Sequence, residues 1–180
     1  MDLSQYDYDL PEKLIAHRPC SPRHESRLLI GSEPTNHDSF SNIANYINDN
    51  DLIVVNNSKV IPIYLSGEVL DYQIKITLHK NLGNGEWPAY LKPGKKVNDG
   101  DNIIFNENHK AEVVKKEENG EFKIKFHSNE NDLINSYGKM PLPPYILKKR
   151  DSDENDFEDY QNIYANKQGS IAAPTAGLHF

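Results

Sequence analysis

The densest group of residues able to do chemistry closes the chain: Ile171-Ala-Ala-Pro-Thr-Ala-Gly-Leu-His-Phe180. His179 can hold or release a proton near neutral pH, Thr175 offers a hydroxyl, and the small residues from Gly169 to Gly177 let a ligand come close to backbone amides. Such a set suits acid–base chemistry on a bound organic molecule. A tight ligand-free connector, with a histidine that merely completes a hydrogen bond, accounts for the same residues. A second group, Asn56-Asn-Ser-Lys59, follows the apolar run Leu52-Ile-Val-Val55. Loops after buried strands often present ligand-binding groups, so Asn56 and Lys59 are candidates for holding a carboxylate or phosphate. An Asx-type turn with an exposed lysine explains them as well.

Other familiar chemistries are missing. The seven histidines include no pair at helical ligand spacing, and the single cysteine, Cys20, cannot build a thiolate cage, so no metal site is expected. No P-loop, Rossmann glycine fingerprint, His-Glu-x-x-His or Gly-x-Ser-x-Gly motif occurs. An enzyme built on this chain would take its reactivity from an organic co-substrate. The formal charge of −7 over 180 residues argues against broad nucleic-acid binding, which draws on excess Lys and Arg. RNA contact would be local, with Lys92, Lys95 and Lys96 as candidates; Lys148-Lys149-Arg150 forms a second basic cluster, and a solvated loop face explains either one. One cysteine excludes an internal disulfide and fits a reducing cytoplasm. No stretch has the length of a membrane span, and the first residues lack the regions of a signal peptide.

The elements that must position these residues change character along the chain. Pro11 to His17 reads as a short helix opened by proline, Arg27-Leu-Leu-Ile30 as a strand, and Phe40, Ile43, Ala44 and Ile47 as one stripe of an amphipathic helix over about 41–48. Asn48 to Asp51 is a turn, Leu52 to Asn56 a buried strand, and Asn57 to Lys59 the turn after it. That is an α/β opening.

From Ile61 the pattern becomes one of short alternating strands. Ile74, Ile76 and Leu78 fall on one face of 73–79, and Gly83-Asn-Gly85 makes a hairpin turn. Further strands are expected at 87–91, 102–105, 111–116 and 122–126, so a small antiparallel barrel is placed at about 62–130. Trp87 and Tyr90 belong to its core or rim, although an aromatic on a barrel can also stack a base. Asn131 to Gly138 reads as a short helix with a cap and a terminal glycine. The prolines of Met140-Pro-Leu-Pro-Pro-Tyr-Ile146 predict an extended connector, and the acidic stretch 151–159 a hinge, flexible or helical. The fold class is α/β with an inserted antiparallel β-barrel. Residues 1–61 and 140–180 supply parts of an incomplete α/β domain, and 62–139 the inserted barrel.

Several of these strings together resemble one family, the S-adenosylmethionine:tRNA ribosyltransferase-isomerases of queuosine biosynthesis. The resemblance is carried, in order, by Tyr6-Asp-Tyr-Asp-Leu-Pro-Glu-Lys-Leu-Ile-Ala16, Ser26-Arg-Leu-Leu29, Val55-Asn-Asn-Ser-Lys-Val-Ile-Pro62, Lys92-Pro-Gly-Lys-Lys96, Met140 to Ile146, Tyr160-Gln-Asn-Ile-Tyr-Ala165 and Gly169 to Phe180. It implies an α/β fold with an inserted barrel. It also implies transfer and isomerisation of the ribosyl part of S-adenosylmethionine onto 7-aminomethyl-7-deazaguanine at the tRNA wobble position, giving epoxyqueuosine, with adenine and methionine as leaving groups. The co-substrate would be S-adenosylmethionine, with no metal, and the partner a tRNA carrying that base. His179 would be the acid/base candidate, with Thr175 and Gly177 shaping the ligand pocket.

The chain departs from the family pattern in two ways. Members carry Asp-Thr-Arg where it has Asn57-Ser-Lys59, Arg at Tyr64, Glu at Lys75, His at Lys139 and Arg at Asp159, and an arginine fork is not replaced by those side chains. Members also continue well past the Gly-Leu-His-Phe string, so the chain is expected to stop within the protein, with Leu178 and Phe180 short of packing partners and the segments around the barrel poorly ordered. A monomer is expected unless a separate polypeptide supplies the rest. The alternative is a truncated, non-catalytic remnant whose barrel is at most a weak RNA-binding module.

Overall fold

The structure, a computed structural model, describes residues 2–180. Ten strands alternate with three short α-helices and several 3-10 turns in a mixed α/β architecture. Six of the strands close into an antiparallel barrel: β4 (Tyr64–Val69), β5 (Tyr72–Leu78), β6 (Glu86–Lys92), β7 (Asn102–Ile104), β8 (Lys110–Lys116) and β9 (Phe122–Phe126), in the order β4-β5-β6-β9-β8-β7.

The barrel forms because its strands have period two. Leu65 and Val69, then Ile74, Ile76 and Leu78, then Trp87, Ala89 and Leu91 point inward, joined by Ile103, Ala111, Val113, Phe122, Ile124 and Phe126 in one core. Each fully buried aliphatic side chain stabilises the fold by about 1.5–3 kcal/mol. Closure is made where Glu68 and Val69 pair with Ile104 and Ile103. Gly67 permits it: a β-carbon there would come within 3.0 Å of the Ile103 side chain and 3.2 Å of the Ile104 carbonyl oxygen. Helix α1 (Glu130–Tyr137), capped by the Asn129 side chain, adds Leu133 and Ile134 to the same core. Gly138 then turns the chain against Pro62, whose carbonyl oxygen a β-carbon would approach to 2.1 Å.

Outside the barrel, β1 (Arg27–Ile30) and β2 (Asn36–Ser39) form a hairpin, and β3 (Ser58–Val60) pairs in parallel with β10 (Lys167–Ser170). Helix α2 is Pro144–Leu147 and α3 is Asp156–Asp159. No helix among the described residues is long and apolar enough to cross a membrane.

Several sequence expectations require correction. Residues 52–56 are not a buried strand: Leu52 is 87% and Val54 84% exposed, and the run has no partner strand. Apolar, β-branched character asks for burial but does not supply the neighbour. The strand lies just beyond, at Ser58–Val60, where a turn was expected. The stripe over 41–48 belongs to a 3-10 helix, Phe40–Tyr46, with Ile43 half-buried but Ala44 and Ile47 exposed. The helix expected from Pro11 shrinks to the 3-10 turn Glu12–Leu14.

The proline-rich connector is extended only as far as Pro143. Pro144 then opens α2, because its fixed φ and missing amide proton suit a first helical position. Strand β4 was not singled out in the sequence at all. Phe180 does have partners: its ring meets Phe40 edge-on at 4.9 Å and Tyr164 at 5.6 Å.

Candidate functional site

The acidic stretch 151–159 is an anchor rather than a free hinge. Asp153, Asp156 and Asp159, spaced three apart, project to one side of the turn that becomes α3. The Asp156 side chain is 0% exposed. Its two oxygens accept hydrogen bonds from Arg150 at 2.9 and 2.6 Å, from Arg18 at 3.0 Å and from the Asp153 amide at 2.9 Å. Arg18 also donates to Asp159 at 3.0 Å and to Asp153. Burial pushes the Asp156 carboxyl up, yet the hydrogen bonds from Arg150 and the Asp153 amide, with the Arg150 charge, outweigh it and hold the group below its ordinary value. Hydrogen bonds to Asp153 and Asp159 raise Arg18 in turn, and the bond to Asp156 raises Arg150.

This cluster ties residues 16–23 to α3, and Arg23 extends the seam by donating to the carbonyls of Gln161, at 2.6 Å, and Glu158. The segment Arg18–Arg23 thereby becomes a wall between two cavities, both of which Arg18, Cys20, Arg23 and Asp159 line. The smaller, of about 470 Å³, has an apolar side made by Leu142, Tyr145, Ile146 and Leu178, and polar groups from Tyr160, Thr175 and His179. Burial pushes the Tyr160 phenol up. The larger, of about 1090 Å³, is more polar and includes Lys59, Gln161 and Asn162.

His179 is placed by packing. Its ring lies 5.4 Å from that of Phe40, and its Nδ1 is 3.2 Å from the Ser26 hydroxyl. In the neutral tautomer whose Nδ1 donates to Ser26, Nε2 keeps its lone pair, the state that proton abstraction requires. Among the described residues no group of three or more His, Cys, Asp or Glu side chains is arranged to hold a metal ion.

The candidates named from sequence are not gathered in one place. His179 and Thr175 share the smaller cavity, whereas Lys59 faces the larger one. Asn56 makes an Asx turn, its side-chain oxygen accepting from the Ser58 amide at 2.7 Å. Gly177 packs on Asn162, whose β-carbon a side chain at 177 would meet at 3.5 Å. Lys92 ends β6, and Lys95 and Lys96 lie in the following 3-10 turn, all on the barrel. Tyr64, Lys75 and Lys139 fall close together: Tyr64 and Lys139 exchange backbone hydrogen bonds of 3.1 and 2.8 Å, and Lys75 pairs with Ser66, two residues on from Tyr64.

Sequence reasoning missed Arg18, Arg23 and Asp156. The only signal was the three-residue spacing of the aspartates, since their arginine partners lie up to 141 residues away. Arg150, read as part of a solvated basic cluster, is instead largely enclosed by the Asp156 contact.

The fold and site define a mixed α/β protein in which a closed antiparallel barrel adjoins a cavity carrying a histidine and fastened by an arginine–aspartate cluster. The family model described as "Queuosine biosynthesis protein" matches residues 3–180, and the chain belongs to that family. Among its relatives are the S-adenosylmethionine:tRNA ribosyltransferase-isomerases of Parvibaculum lavamentivorans (40% identical) and Rickettsia bellii (43%), each matched over 100% of this chain but only 54% and 55% of their own lengths. The S-adenosylmethionine tRNA ribosyltransferase of Thermotoga maritima is a structural neighbour at 33% identity and a TM-score of 0.41, over 81% of this chain and 53% of that one. The chain thus spans about half the length of the curated relatives it matches.

Proposed function

We propose that this chain carries part of the machinery that transfers and isomerises the ribosyl group of S-adenosylmethionine onto 7-aminomethyl-7-deazaguanine in tRNA, giving epoxyqueuosine, in the cytoplasm. In this reading residues 62–139 are a barrel inserted between two parts of the domain that binds the co-substrate. One observation supports it above others. The family's terminal string folds so that His179 and Thr175 line a cavity of about 470 Å³, a size suited to a small organic ligand, with one apolar side and few polar groups.

S-adenosylmethionine supplies a sulfonium that acidifies the adjacent ribose protons, and the aminomethyl group of the tRNA base is the nucleophile. The chain's own task is to bind, orient and move a proton. His179 Nε2 accepts it, Ser26 and Phe40 fix the imidazole, and Tyr145, Ile146 and Leu178 keep water from one side. Thr175 offers the ligand a hydroxyl, and Gly177 lets residues 174–177 lie close on Asn162. The Arg18–Asp156–Arg150 cluster positions the wall that these groups face.

The test is to incubate the purified chain with S-adenosylmethionine and tRNA bearing the 7-aminomethyl base, beside a full-length relative, and to follow adenine release and epoxyqueuosine by mass spectrometry. Product that disappears in His179→Ala supports the reading. Absence of product, with the relative active, would overturn catalysis by this chain alone. A second reading, a non-catalytic chain whose barrel contacts RNA, is favoured by a phenol and two ammonium groups at 64, 75 and 139, where the resemblance implies arginine, glutamate and histidine.

A further inference from the structure

We infer that the outer face of β4, β5 and β6 binds single-stranded RNA, with phosphates at a lysine pair and a base on an adjacent tyrosine. The strand register sets side chains of this face in rows. Ser66, Lys75 and Lys92 lie directly across from one another on the three strands, and Tyr64, Thr77 and Tyr90 form the next row.

Lys75 and Lys92 are therefore cross-strand neighbours of like charge, an arrangement that destabilises a sheet. Both are exposed, and neither makes an ion pair among the described residues. Glu68, in the adjacent row of the face, accepts from Gln73 at 2.9 Å. Between the lysines lies a depression of about 420 Å³ lined also by Ser66, Gln73 and Ile74. An anion there would relieve the repulsion and find a hydroxyl and an amide beside it.

The row alongside makes the anion part of a strand rather than a free ion. Tyr90, two residues from Lys92 and so on the same side of β6, is 44% exposed. The edge-to-face contact with His79 at 4.8 Å steadies its ring, and His79 is itself 2.9 Å from Glu121. Lysines tracking phosphates beside aromatic rings that take stacked bases are the elements of single-strand recognition. In a chain of net charge −7, phosphate affinity has to be local. The surface goes beyond the cluster Lys92, Lys95 and Lys96: it needs Lys75 and Tyr90, which that cluster lacks. RNA rather than DNA as the strand rests on the function proposed above.

The test is fluorescence anisotropy of the full chain with an unmodified anticodon-loop RNA between about 50 and 200 mM salt. Lys75→Glu and Lys92→Glu should each weaken binding at least tenfold and flatten the dependence of log K on log salt by about 0.7 or more per lysine. Tyr90→Ala should lose about tenfold, as expected for one stacked base, while Tyr90→Phe restores it. Lys110→Glu, on β8, should bind like the parent. Circular dichroism melting should show Lys75→Glu at least as stable as the parent, since it replaces repulsion by attraction.

Parent-like affinity and salt slope in Lys75→Glu and Lys92→Glu would overturn the surface. Heparin binding as tight as RNA, and insensitive to Tyr90→Ala, would overturn the RNA assignment. No turnover enters this assay. RNA binding with the expected pattern, alongside no adenine release, would leave the surface standing and remove only the catalytic reading.

Discussion

Replacing Asp156 by Asn should cost the fold more than any other single change of charge outside the barrel. The carboxylate is wholly enclosed and accepts from Arg150, Arg18 and the Asp153 amide. An amide in its place offers one acceptor oxygen instead of two and leaves two guanidinium groups facing each other without a shared anion. Breaking a buried ion pair from one side costs about 3–5 kcal/mol. The Arg18 and Arg150 side chains remain 34% and 19% exposed, so water takes up part of the freed charge and the lower end of that range applies. About 3 kcal/mol corresponds to roughly two decades in the unfolding equilibrium.

Urea denaturation followed by circular dichroism would measure it, with an unchanged slope showing that the same surface is exposed. The pH dependence has a definite sign. The Asp156 carboxyl lies below 3.8 when folded, so its contribution is complete above that value and is lost as pH falls through the folded pKa. Stability of the parent should decline below about pH 4 more steeply than that of Asp156→Asn, and the two curves should converge. A loss under about 0.5 kcal/mol at pH 7, the size of an ordinary surface change, would refute the claim that the cluster fastens residues 16–23 to α3.

Other outcomes follow from the same structure. Ile74→Ala, at a position 1% exposed inside the barrel, should cost about 2–5 kcal/mol in the same assay. Val54→Asp, 84% exposed, should change stability by under about 0.5 kcal/mol and lower the tendency to aggregate seen by light scattering. Gly138→Ala should destabilise strongly or lower the yield of folded protein, because the new methyl group would meet the Pro62 and Ile134 carbonyl oxygens at 2.1 and 2.3 Å. Hydrogen exchange should protect β5, β6 and β9 far more than residues 48–57, where no sheet ladder holds the amides; equal protection would overturn that contrast.

The barrel was legible because each strand carries its own instruction. Ile74, Ile76 and Leu78 alternate with polar residues, a turn follows, and closure needs only the neighbouring segment to say the same. Strand β4 escaped notice because Ser66, Gly67 and Glu68 dilute its two apolar positions, and only the contact with Ile103 shows why the glycine is there. Leu52 to Val55 failed for the opposite reason. Its composition is that of a core strand, but burial is a property of pairs, and one partner's composition says nothing of the other.

The cavity's fastening was illegible on different grounds. Arg18 reads as an isolated charge, Lys148-Lys149-Arg150 as a solvated cluster and 151–159 as an acidic loop, and each reading is sound locally. What joins them is a contact between residues 18 and 156, across the whole barrel in sequence. A buried carboxylate is tolerable only when its donors arrive together, so the enclosed Asp156 requires that residues 16–23, 150 and 156 be assembled before either cavity has a wall. The barrel brings Pro62 and Gly138, the two ends of the intervening chain, into contact. It therefore shortens the search that the arginines must make. In this protein the legible element is what allows the illegible one to form, and a substitution that loosens the Pro62–Gly138 contact should weaken the Arg18–Asp156 seam without touching it.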